Sequence, residues 1–251
     1  MPQTVTIGQG ADARRIAVLA REGKGPQVVW LGGFKSDMRS TKVAALDAWA
    51  GGAGRAFLRF DYSGHGESAG AFEDGTISRW LEEALGVIGR FGSGRPILVG
   101  SSMGGWIALL AAQRLAGSAL APSGIVLIAP AVDMTERLMW ERFPEEIRRR
   151  VEETGVYERP SAYSEAPYAI TRGLIEDGRG HLLFGRPIET GCPVHILQGM
   201  QDPDVPWSHA MQLVEHLPGD SVSLTLIKDG DHPLSRDEDL ERLIAAVEGI
   251  G

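Results

Sequence analysis

Six short apolar runs recur along the chain: Val28–Leu31, Ala56–Phe60, Ile97–Gly100, Ile125–Ala129, Val194–Gln198 and Leu224–Ile227. Most are continuous in hydrophobicity rather than alternating, the pattern of parallel strands covered on both faces. Amphipathic helices fall between them. Ile77, Trp80, Leu81, Ala84, Leu85 and Ile88 repeat at helical spacing, and so do Ala210, Leu213, Val214 and Leu217. Leu240, Leu243, Ile244 and Val247 form a last helix, for which Ser235 and Glu238 predict a capping box. Alternating strands and helices predict βαβ units and an open, mostly parallel, twisted sheet flanked by helices. Val5–Ile7 and Ile16–Ala20 come first with no helix between them and predict an antiparallel edge hairpin.

One stretch breaks the alternation. Residues 131–188 show no convincing strand, only a charged helical segment, Glu136–Glu153, and a region bearing Tyr and Arg, Tyr157–Phe184. This predicts a helical cap inserted over the carboxyl edge of the sheet. At 251 residues, an α/β chain is expected to form one domain with that insertion.

Composition narrows the function classes. The net charge is −8, whereas a nucleic-acid binder carries a basic patch. The densest basic run, Arg148-Arg149-Arg150, is flanked by Glu145, Glu146, Glu152 and Glu153 and reads as a solvated helix face. Acidity also disfavours anionic lipid. No apolar run approaches the roughly 20 residues of a membrane span, so no integral membrane association is expected. The first 15 residues resemble neither a secretory signal nor a transit peptide, which makes a cytoplasmic location the expectation. With Cys192 the single cysteine, neither an intrachain disulfide nor a CxxC metal site can form. Cys192 itself reads as packing. No paired His, HExxH or carboxylate cluster points to a metal, and no dinucleotide fingerprint is present, so neither a metal nor a cofactor is expected.

The chemistry lies in Ile97-Leu98-Val99-Gly100-Ser101-Ser102-Met103-Gly104-Gly105-Trp106. An apolar strand enters and a helix-forming segment, Ile107 to Leu115, leaves. Between them stands G-x-S-x-G with Ser102 at its centre. A turn this tight needs glycines flanking the serine and holds the hydroxyl proud of the sheet, at a helix N-terminus. Ser101 does not fit, because its flanks would be Val99 and Met103. A serine nucleophile needs a base, and the base an orienting acid. The Val194–Gln198 run leads to Asp202, and the Leu224–Ile227 run leads to His232. This gives the chain order Ser, Asp, His. Asp204 and Asp133 are alternative acids, although Asp202 and Asp204 can also merely shape a turn around Pro203. His65, His181, His195, His209 and His216 are weaker candidates for the base.

An oxyanion site should use two backbone amides. One is Met103, after the nucleophile; the other comes from the Gly32-Gly33-Phe34 loop, where Phe34 is favoured over a plain Gly-Gly turn. Tyr62 and His65, in Asp61-Tyr62-Ser63-Gly64-His65-Gly66-Glu67-Ser68, are candidates for touching substrate, against the alternative of a purely structural loop. In the cap, Met134, Leu138, Met139, Trp140, Phe143, Leu174 and Ile175 divide between packing and an acyl pocket. Met139 and Trp140 are the candidates for substrate contact.

These motifs resemble the α/β-hydrolase superfamily over nearly the whole chain. Gly32-Gly33-Phe34-Lys35-Ser36-Asp37-Met38, Arg59 to Gly66, Gly100 to Trp106, Gln198 to Asp202 and Lys228 to His232 are similar to its palmitoyl-protein thioesterase and acyl-glucuronide esterase subfamily. The resemblance implies a Ser102–His232–Asp202 triad acting on a small-molecule or acyl-protein ester or thioester. It does not carry over the mitochondrial location of animal members. A carbon–carbon bond hydrolase, lipase or perhydrolase shares the triad. A dehalogenase would need a carboxylate at position 102. A binding protein without turnover would have no use for an intact triad.

Overall fold

The structure, a computed structural model, describes residues 2–160, 167–219 and 221–250. In chain order the strands and helices are β1 (Gln3–Ile7), β2 (Arg14–Arg21), β3 (Lys24–Leu31), α1 (Thr41–Ala53), β4 (Arg55–Phe60), α2 (Ile77–Phe91), β5 (Ile97–Ser101), α3 (Met103–Leu115), β6 (Gly124–Ile128), α4 (Glu145–Thr154), β7 (Val156–Arg159), β8 (Tyr168–Thr171), α5 (Arg172–Gly178), β9 (Val194–Gly199), α6 (Trp207–His216), β10 (Val222–Ile227) and α7 (Asp237–Ile250). Eight strands form one sheet in the order β1-β2-β4-β3-β5-β6-β9-β10. β2 is antiparallel to both β1 and β4, and every other pairing is parallel. The expected edge hairpin is β1 with β2.

The central strands β3, β5 and β6 are buried on both faces along their apolar runs, as a two-sided parallel sheet requires, whereas β10, at the sheet edge, leaves Leu226 exposed. In β6, Ile125 and Leu127 join the core beneath α2, α3 and α6, while Val126 and Ile128 join the opposite core beneath α1 and α7. α2 presents Ile77, Trp80, Leu81, Ala84 and Ile88 inward. It starts where the Thr76 hydroxyl accepts the Arg79 N–H at 3.2 Å, a side-chain N-cap. Parallel strands aim their carboxyl ends at one edge, where ligands of open α/β sheets bind.

Three expectations need correction. The insertion is not purely helical, because β7 and β8 pair antiparallel, Val156 opposite Thr171 and Arg159 opposite Tyr168. Each is four residues long, too short for a strand period to stand out. Residues 161–166 of the cap prediction lie outside the described residues. The Glu136–Glu153 helix is broken: a π turn at Met134–Met139 and a 3-10 turn at Trp140–Arg142 precede α4, which starts after Pro144. Proline lacks the N–H that a continuous helix would need there. Finally, the last helix opens one residue later than expected, with the Arg236 N–H donating to Asp239 Oδ2 at 3.3 Å. Asp239 takes the role assigned to Glu238 because its side chain is buried against Arg236 and Arg242.

Candidate active site

Ser102 sits between β5 and α3 with φ 54° and ψ −119°. A non-glycine residue in such a region costs on the order of 1–3 kcal/mol and persists only where its surroundings enforce it. Here they do: the Ser102 N–H donates to Ile128 C=O at 2.8 Å, and its C=O accepts from Gly105 at 2.9 Å and Ala131 at 3.1 Å. The flanking glycines are sterically required. A Cβ at Gly100 would collide with the Gly104 carbonyl, and one at Gly104 with the Leu31 and Gly32 carbonyls.

His232 lies on the loop after β10, and its imidazole links two partners. Nε2 is 3.1 Å from Ser102 Oγ, and Nδ1 is 2.7 Å from Asp202 Oδ2. The Asp202 side chain is fully enclosed and is fixed at both oxygens. Oδ1 accepts the Asp204 and Val205 N–H groups, each at 2.8 Å. Oδ2 accepts His232 and, at 3.3 Å, Gln198 Nε2. The expected serine, base and acid are therefore brought into one hydrogen-bonded line from three strand ends.

The competing residues go elsewhere. Asp133, with φ 53°, accepts the Leu183 and Phe184 N–H groups at 2.7 and 2.9 Å and so ties the returning end of the cap to the end of β6. Burial pushes its pKa up. Asp133→Asn is expected to lower Tm by about 2–12 °C, from one unmet buried hydrogen bond, and to leave kcat within tenfold; thermal denaturation and initial rates check both. His209 Nε2 donates to Val132 C=O at 2.9 Å. Burial holds its pKa down, at about 4. His195 bonds Thr225 Oγ1 at 3.0 Å, His216 the Gln212 C=O at 2.8 Å, and His181 Ser78 Oγ at 2.7 Å. Cys192 is half-buried with its thiol pKa raised to about 11 by burial, unsuited to act as a nucleophile.

The Gly32–Phe34 loop lies against the serine, close enough that a Cβ on Gly33 would stand 3.3 Å from Ser102 Cβ. Among the described residues, no protein acceptor takes the Phe34 or Met103 N–H. The Phe34 ring meets Phe72, Trp80 and, from the cap, Tyr168, with centroids 4.8, 5.9 and 5.6 Å away. Tyr62 is 2% exposed and packs on Phe60, so it is a core residue rather than a substrate contact. His65 is 4% exposed and bonds only backbone, Lys35 N–H at Nε2 and Ser63 C=O at Nδ1. The structural alternative holds for both. Met139, with Met134, Leu138, Phe143, Leu174 and Ile175, is closed into the main core. Trp140 is half-buried, with Arg148 and Arg179 over its ring at 5.8 and 5.1 Å.

Two supporting residues escaped the sequence reading. Gln198, the polar residue near the end of an apolar strand, donates to Gly199 C=O, Val205 C=O and Asp202. Lys42 of α1 donates to Pro233 C=O, tethering the loop that carries His232; burial lowers its pKa to about 8. Asp202, Asp204 and His232 offer ligand atoms within 4.8 Å of one another. A metal there would have to displace the bonds that already engage Asp202 and His232.

A serine at the elbow after β5, hydrogen-bonded to a histidine backed by a buried aspartate, on an eight-stranded α/β sheet, defines a class. Residues 28–246 match the alpha/beta hydrolase family, and the chain belongs to it. It is 34% identical over 240 residues to the human mitochondrial palmitoyl-protein thioesterase ABHD10, covering 95% of this chain and 77% of that protein. The mouse alpha/beta hydrolase domain-containing protein 10 superposes with a TM-score of 0.88 at 30% identity, over 98% of this chain and 97% of that one. A crystal structure of an Agrobacterium vitis S4 protein classed as a hydrolase reaches a TM-score of 0.96 at 51% identity, covering 100% and 98%. No helix among the described residues is long and apolar enough to cross a membrane.

Proposed function

We propose that the protein is a serine hydrolase that cleaves carboxylic esters and thioesters through an acyl-enzyme on Ser102. The observation that carries this reading is the His232 imidazole bonded to Asp202 on one nitrogen and to Ser102 on the other. With Nδ1–H donating to Asp202, Nε2 is left unprotonated and accepts the Ser102 proton as Oγ attacks the acyl carbon. The Phe34 and Met103 amides stabilise the resulting oxyanion, each worth about 10²–10³ in rate. His232 then gives its proton to the departing alcohol or thiol. Water, deprotonated by the same nitrogen, releases the acid and restores Ser102. The thioesterase relatives support acyl thioesters as the substrate class.

The aromatic face that Phe34, on the loop against the serine, makes with Tyr168 favours an apolar acyl group over a small polar one. kcat/KM is expected to rise from acetyl to medium-chain p-nitrophenyl esters and acyl thioesters, by up to about fourfold for each buried CH₂, and then to level off. Tyr168→Ala is expected to flatten that rise more than it slows acetyl-ester hydrolysis. A wild-type profile highest for acetyl and falling with length would remove the apolar acyl site from the account.

A further inference from the structure

The loop that carries Phe34 is held from outside by two buried side chains of the Asp61–Ser68 segment. His65 Nε2 accepts the Lys35 N–H at 3.1 Å, and its Nδ1 donates to the Ser63 C=O at 3.1 Å. Asp61 Oδ1 accepts the Met38 N–H at 2.6 Å, and Oδ2 the Glu67 N–H at 2.7 Å. The His65 ring is fixed edge-on by Phe72, Trp80 and Tyr62, with centroids 5.2, 5.3 and 5.9 Å away. Its rotation is therefore blocked, and the direction in which Nε2 points is set.

What this nitrogen holds is a turn under strain. The Ser36 N–H donates to Gly33 C=O at 3.1 Å, and Lys35, the third residue of that turn, has φ 62°. L-residues avoid this region, which turns of this kind usually fill with glycine. Gly33 C=O and Phe34 N–H share one planar trans peptide and so point in opposite directions. With the carbonyl drawn into the turn, the Phe34 N–H is directed out of it. Removing the acceptor at Lys35 takes away the part-buried bond that holds the turn and frees the strained residue next to Phe34 to relax.

We propose that His65 is a positioning residue of the oxyanion site: through the Lys35 N–H it holds the strained turn that presents the Phe34 amide. This inference rests on the serine-hydrolase reading of Ser102. Burial lowers the His65 pKa to about 4, which keeps Nε2 an unprotonated acceptor around neutrality.

The test compares His65→Gln with His65→Asn. Glutamine reaches the place of Nε2 with an acceptor, whereas asparagine reaches only that of Nδ1. Each protein is assayed for kcat and KM on p-nitrophenyl butyrate and for Ki of an alkyl trifluoromethyl ketone. That ketone forms a reversible tetrahedral adduct whose oxygen occupies the oxyanion site. His65→Gln is expected to stay within about fivefold of wild type. His65→Asn is expected to lose about 30–100-fold in kcat and in ketone affinity, a large part of one oxyanion donor, with KM within about threefold. A merely structural role would lower Tm without this split between kcat and KM. His65→Phe removes the acceptor without adding a polar group; it is expected to behave as His65→Asn and replaces it if that protein does not fold. Equal kcat and Ki in the variants with and without the acceptor, or better values without it, overturn the inference. Ketone binding to Ser102→Ala as tight as to wild type would instead overturn the reading of Ser102 itself.

Discussion

Ser102→Ala is expected to abolish ester and thioester hydrolysis, lowering kcat by about 10⁶, the loss seen when the nucleophile of a serine protease is removed. The side chain that disappears carries the hydroxyl that is hydrogen-bonded to His232 Nε2. Ser101, its neighbour, ends β5 in register with Ile128 and is buried, so it cannot take over. The variant should fold. Alanine keeps the same backbone demands, and the bonds that enforce φ 54°, from Ser102 N–H to Ile128 and to its C=O from Gly105 and Ala131, are all main-chain. Circular dichroism and Tm close to wild type, with turnover at background, are the expected pair of results. Near-normal turnover by pure Ser102→Ala protein would remove the nucleophile from the account.

Asp202→Asn is expected to lower kcat on the order of 10⁴, as the equivalent change does in a serine protease triad. The reason is the tautomer of His232. Asp202 Oδ1 is committed to the Asp204 and Val205 N–H groups, so an asparagine oxygen would take that side. Its NH₂ would then face His232 Nδ1. That nitrogen would have to accept, moving the imidazole proton to Nε2, where it blocks proton transfer from Ser102. Asp204→Asn should cost less than tenfold, because Asp202 is held by the backbone N–H of Asp204 and not by its carboxylate. Single-turnover acylation rates of the three proteins check this. An Asp204→Asn or Asp133→Asn variant more impaired than Asp202→Asn would move the acid elsewhere.

The parts of this site that were legible in the sequence are those fixed by local chain geometry. Gly100, Ser102 and Gly104 mark the elbow because a Cβ at either glycine has no room. Asp202 follows β9, whose burial makes it a nearly continuous apolar run, and His232 follows the short apolar stretch that ends the edge strand β10. Parts that depend on contacts between distant segments were not legible. His65 looks the same in sequence whether it faces substrate or a neighbouring loop, and only the approach of Lys35, 30 residues away, decides. Gln198 reads as the frayed end of a strand until Asp202 and Val205 fold back over it. α1 was missed because its buried side is narrow, Val43, Leu46 and Ala50, and it contains Gly51 and Gly52. β7 and β8 are short and take their strand form from pairing with each other, which no local pattern reports. The cap's apolar residues illustrate the same limit: their composition suits a pocket or a packed interface equally, and the structure closes six of the seven into the core.

The most direct test of the central claim is to trap the covalent intermediate. The protein is treated with a fluorophosphonate, and the modified residue is located by peptide mass spectrometry. The account predicts one stoichiometric adduct, on Ser102, formed quickly by wild type, slowly by Asp202→Asn and not at all by Ser102→Ala. No adduct on wild-type protein that turns over esters, or an adduct on another residue that persists in Ser102→Ala, would contradict it.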